Sequence, residues 1–129
     1  MTNPTAFLRR VLVVDGTISG LTGVLMILGA GFLEAALGVP AVLLRYAGLS
    51  LIPFVAFVFY LATRDSVSRA SVWTVIAANA AWVVASALLL VSGRIEPTAL
   101  GYVFILGQAF AVAAFAEAQY VGLRKSTVA

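Results

Sequence analysis

Cysteine and histidine are both missing from this 129-residue chain. Their absence excludes disulfide exchange, thiolate nucleophiles, His-ligated haem and the usual zinc sites. Charge is scarce as well, at 10% of residues, with only five acidic side chains. No hydrolase elbow, phosphate loop or carboxylate pair at catalytic spacing occurs. Aromatic and basic residues do not interleave as nucleic-acid binding requires. These gaps argue against an enzyme, against a bound cofactor or metal, and against a nucleic-acid partner.

What remains is mostly hydrocarbon. Hydrophobic residues make up 63% of the chain and the mean hydropathy is +1.10, well above the roughly 45 to 50% apolar content of soluble domains. A helix needs about 20 mostly apolar residues to cross a bilayer, and four stretches qualify: approximately 11–32, 41–63, 71–91 and 98–120. The expected fold is an all-α integral-membrane four-helix bundle with short loops, one domain covering residues 1–129. Strands are not expected, because no segment alternates with period two over a barrel-strand length. The first stretch is read as a retained helix. Its apolar run exceeds the roughly 7 to 15 residues of a secretory signal, and three more spans follow.

The surplus of basic residues, a net charge of +3, reports orientation. Arg9, Arg10, Arg64, Arg69, Arg124 and Lys125 fall at one end of the four-span arrangement, against Arg45 and Arg94 at the other. The positive-inside rule then makes both termini cytoplasmic. Residues 1–7 read as a short polar tail. On the outer side, "LEAALGVP" (Leu33 to Pro40) reads as an interfacial helical turn ended by Gly38, with the next helix restarting at Pro40. Pro97 suits the first position of the last helix. Tyr60, Trp73 and Tyr120 fit a cytoplasmic aromatic belt.

Polar residues inside such spans carry whatever chemistry there is. Asp15, Ser19 and Thr22 share one face of span one at about 3.6 residues per turn, with Gly16, Gly20 and Gly23 beside them. Small residues four apart let another backbone approach closely, so span one is the expected centre of the bundle. The stripe reads either as a packing face or as one wall of a permeation path. Asp15 lies about 7 to 8 Å beyond Arg10 at about 1.5 Å per residue, and its side chain leans back toward the helix N-terminus. In span three, Asn79 reaches a similar depth, so a hydrogen bond between Asp15 and Asn79 is expected. In span four, Gln108 and Glu117 point about 180° apart, and Gln108 is expected to face inward. The candidate intramembrane cluster is thus Asp15, Ser19, Thr22, Asn79 and Gln108. Arg45, just inside span two, is expected to form an outer interfacial ion pair with Glu34 or Glu96.

The segments "GAGFLEAALGVP", "LLRYAGLSLIPFVAFVFYLATR" and "NAAWVVASALLL" resemble small four-helix proteins of the bacterial inner membrane, of uncharacterised role. In size and helix number the chain is also remotely similar to DoxX-like membrane proteins. It looks like small multidrug exporters in length and span count, but the mid-membrane glutamate of their first helix is missing. These resemblances imply a multi-pass protein of the bacterial inner (plasma) membrane. The expected role is a non-catalytic structural or accessory component that works through helix packing, with the lipid bilayer and a homo-oligomer or membrane-protein partner as its company. The alternative is a small-solute or proton-coupled ion transporter, as a homodimer, using Asp15, Asn79 and Gln108 as a polar path.

Overall fold

A computed structural model describes residues 2–128, and its architecture follows from where the chain can place helix ends. Five helices form: α1 (Ala6–Leu28), α2 (Ala30–Leu37), α3 (Ala41–Ala62), α4 (Arg69–Val91) and α5 (Ala99–Arg124). All but α2 are long and apolar enough to cross a membrane. A hydroxyl caps the start of three of the four. Thr5, Ser68 and Thr98 accept from the backbone N–H groups of Leu8, Ser71 and Gly101 at 3.0–3.1 Å, each satisfying one of the free donors that every helix N-terminus exposes.

Several expected boundaries shift for this reason. The first helix begins at Ala6, not at residue 11, because Thr5 supplies a cap before the basic pair, and it stops at Leu28, where Gly29 breaks it from α2. The expected polar tail is therefore partly helix. Pro97 lies before the cap and not in the first helical position, which Ala99 takes after Thr98. The interfacial turn is a full short helix, α2, closed by Gly38 in the left-handed region at φ 71°, with Pro40 then capping α3. The fold holds one strand pairing among the described residues, contrary to the strand-free expectation: β1 (Thr2–Asn3) runs antiparallel to β2 (Thr127–Val128). The Thr5 N–H also donates to Ser126 Oγ at 3.3 Å. Both chain ends thus meet at one end of the molecule.

Helix α1 is central. It packs along α3, crosses α5 and touches α2, while α4 packs along α5 and meets α3 only sparsely. The closest approaches between the long helices fall at glycines. A methyl on Gly48 would lie 2.8 Å from the Gly23 carbonyl oxygen, and one on Gly16 would lie 3.0 Å from the Phe59 ring. Near the chain ends, a methyl on Gly122 would lie 2.9 Å from Leu8 Cβ. Gly20 differs, since a methyl there meets only Val55 at an ordinary 3.5 Å. Lipid tails are as apolar as leucine, so association rests on such close packing and on interhelical hydrogen bonds.

Two apolar clusters occupy the ends. One, at the end with the termini, centres on Leu8, Leu12, Val58, Val72, Val75 and Leu123. The other, beneath α2, includes Met26, Leu33, Leu37, Leu44, Leu51 and Ile105. There α2 is fastened to the start of α5: the Thr98 N–H donates to the Leu37 carbonyl and Thr98 Oγ1 to that of Ala36, at 2.9 and 2.8 Å. Large side chains such as Leu21, Leu28, Phe32, Leu88 and Phe110 point outward and are more than half exposed, the distribution expected where hydrocarbon is the solvent.

Candidate functional site: a buried carboxylate network

Between the two apolar clusters lies a polar layer built on Asp15. Its carboxylate is fully buried and accepts three hydrogen bonds from three helices. Ser19 Oγ, one turn on in α1, donates to Oδ1 at 2.9 Å. Asn79 Nδ2 of α4 and Gln119 Nε2 of α5 donate to Oδ2 at 3.1 and 2.7 Å. The triangle closes where Asn79 Nδ2 also donates to Gln119 Oε1 at 2.9 Å. Every donor to the carboxylate among the described residues is neutral, with no lysine or arginine joining it. Arg9, the nearest basic candidate in sequence after Arg10, donates instead to the Ala62 carbonyl, holding α1 to the end of α3.

Side-chain direction explains why these three residues meet. The close approach of Leu8 to Gly122 sets α1 and α5 level near the chain ends. From there Asp15 lies about two turns in and Gln119 less than one turn in. Side chains lean toward their own helix N-terminus. In the antiparallel pair this brings Asp15 back toward the chain-end side and carries the longer Gln119 deeper, which closes the offset. Asn79 starts from nearly the same depth as Asp15, on a helix that runs in the same direction.

The site therefore unites Asp15, Ser19 and Asn79 from the sequence-derived cluster, adds Gln119, and leaves Gln108 and Thr22 apart. Gln119 is the residue that sequence reasoning missed. Its signal was periodicity: it lies 11 residues after Gln108, close to three full turns, hence on the same face. Gln108 does point inward but forms a second centre nearer the α2 end. Its Oε1 accepts from Trp82 Nε1 at 2.5 Å, and its Nε2 donates to Ser86 Oγ at 3.0 Å and to the Ile105 carbonyl at 2.8 Å. Its depth, about four turns from the Arg124 end, puts it beyond reach of Asp15. Thr22 makes no side-chain hydrogen bond among the described residues and faces cavities instead.

Among the described residues Arg45 forms no ion pair with Glu34 or Glu96. Arg45 is exposed and hydrogen-bonds neither carboxylate among the described residues, while Glu34 Oε1 accepts from the Ala41 N–H at 3.2 Å. Glu34 has a nearer unsatisfied donor, because Pro40 caps α3 without a side-chain hydrogen bond of its own. Glu96 is likewise exposed. Of the expected packing glycines, Gly16 and Gly23 sit at close approaches and Gly20 does not; Gly48, on the facing helix, completes the tightest crossing between the long helices.

Two cavities adjoin the polar layer. One of about 220 Å³ is bordered by Ser19, Thr22, Asn79 and Ala111, and one of about 240 Å³ by Met26, Leu44, Ser86 and Phe104; they share Thr22, Trp82 and Gln108 as walls. The sparse contact between α3 and α4 leaves this room. No group of three or more metal-ligating side chains occurs among the described residues. Searches of family models, curated proteins and solved structures return no match to this chain.

Proposed function

We propose that this chain is a non-catalytic component of the bacterial inner membrane, a structural or accessory protein that acts through helix contacts. Both termini lie on the cytoplasmic side. The observation that carries this reading is the self-sufficiency of the Asp15 network. A carboxylate inside a membrane marks function by default, yet here all three of its hydrogen bonds go to the protein's own neutral side chains and none of its surface is exposed. A group so enclosed works as a clamp between α1, α4 and α5. The orientation rests on six basic residues at the end where the chain termini meet, against two at the other. The Trp73 and Tyr120 rings, 5.6 Å apart, and the Arg124 guanidinium 5.7 Å over Tyr120 suit a headgroup belt at that end.

Transport is the second reading, favoured by one feature: Ser19 and Asn79 stand between the carboxylate and a cavity. The test is reconstitution into liposomes with sodium-, potassium- and proton-sensitive dyes, together with the native mass in nanodiscs. The clamp role predicts flux no greater than that of empty liposomes. A stable oligomer with ion flux that disappears in Asp15→Asn would overturn it in favour of transport.

A further inference from the structure

We propose that the cavity beside Asn79 is a binding site for a small uncharged molecule with an apolar body and a single hydroxyl donor, an aryl or alkyl alcohol. The argument starts from the one polar atom that the clamp leaves unused. Both hydrogens of Asn79 Nδ2 are committed, one to Asp15 Oδ2 and one to Gln119 Oε1. These two acceptors fix the orientation of the amide, since a flipped group would turn its oxygen onto theirs. Asn79 Oδ1 is left with no hydrogen-bond partner among the described residues, in a side chain only 4% exposed that borders the cavity. A buried acceptor without a donor is costly, and a ligand hydroxyl is the group that satisfies it.

The rest of the wall selects the body of the ligand. It is contributed mainly by Ile18, Leu51, Phe54, Val112 and Phe115, and no basic or acidic side chain among the described residues borders it. A charged headgroup would lose its hydration there without an opposite charge in contact, at a cost that outweighs one hydrogen bond. Size sets the scale. An apolar cavity of about 150 Å³ holds benzene, so about 220 Å³ accommodates a ring with a two- or three-carbon arm, and the neighbouring cavity gives room for more. Entry is lateral: Ser50 and Ala78, which line the cavity from α3 and α4, are exposed on the hydrocarbon-facing surface. The site is independent of the accessory role, and a flux result for or against transport leaves it standing.

Trp82 lines the cavity and is one of two tryptophans, so in a Trp73→Phe background its emission alone reports occupancy. The experiment adds para-bromophenethyl alcohol, the hydrocarbon para-bromopropylbenzene, or para-bromophenethylammonium to nanodiscs, with each quencher expressed as its mole fraction in the bilayer. The alcohol is expected to reach half-quenching at about tenfold lower fraction than the hydrocarbon, the worth of one hydrogen bond in a dry site, and lower than the ammonium. Asn79→Leu removes the preference for the alcohol. Ala111→Phe fills the cavity, leaves the Asp15 network untouched and abolishes the saturable quenching; it decides the matter alone if Asn79→Leu does not fold. Equal quenching by alcohol and hydrocarbon, tighter binding of the ammonium, or saturable quenching that survives in Ala111→Phe would each overturn the proposal.

Discussion

Asp15 is held by geometry and not by a counter-charge, and this determines how its removal should act. Interhelical hydrogen bonds in a membrane protein are worth on average only about 0.6 kcal/mol each, so the three bonds to its carboxylate together contribute about 2 kcal/mol. Asp15→Leu deletes them and leaves buried donors on Asn79, Gln119 and Ser19, a further penalty. The expected loss is about 2 to 4 kcal/mol in reversible unfolding in mixed micelles. Adding Asn79→Leu and Gln119→Leu to Asp15→Leu should recover part of it, because two of the three orphaned donors leave together. A triple variant less stable than Asp15→Leu alone would show that the amides hold the fold by contacts other than these. Much of this network was legible from the chain: the spacing of Asp15 and Ser19 and the depth of Asn79 pointed to it. Gln119 was not, because counting from the helix end places it too shallow; only the opposing lean of side chains on antiparallel helices brings it to Asp15.

At the scale of elements, the crossing of α1 and α3 is the tightest contact between the four long helices and depends on a pair of glycines on different helices. Gly48→Ala is expected to destabilise the bundle by about 1 to 3 kcal/mol through overpacking, since the new methyl would press on the Gly23 carbonyl. Gly20→Ala should be neutral or stabilising by up to about 1 kcal/mol, the helix-propensity gain of alanine, because only ordinary contact with Val55 awaits it. Thermal unfolding of the two variants side by side checks both, and equal effects would contradict the assigned crossing point. Hydropathy placed the four spans well, because about 20 apolar residues is a strong constraint. It does not resolve which small residue touches which helix: the Gly16, Gly20 and Gly23 stripe is uniform in sequence, and only the facing Phe59, Val55 and Gly48 distinguish its members. For Arg45 the loop order offered two partners, Glu34 and Glu96, but gave no weight to the backbone: Glu34 accepts from the Ala41 N–H instead.

At the scale of the molecule, the central proposal is that the four apolar helices span a bilayer with both chain ends, and six of the eight basic residues, on its cytoplasmic side. The pairing of Thr2 and Asn3 with Thr127 and Val128 already requires the two ends to share one end of the fold. The absence of cysteine makes the decisive measurement clean, because any introduced thiol is the sole reactive site. Single substitutions Asp65→Cys, Ser92→Cys and Lys125→Cys, all at exposed positions, can be treated with a membrane-impermeant maleimide in intact cells and again after permeabilisation. The account predicts that Ser92→Cys is labelled from outside and that Asp65→Cys and Lys125→Cys are labelled only once the membrane is opened; labelling of Ser92→Cys and Lys125→Cys from the same side would contradict it.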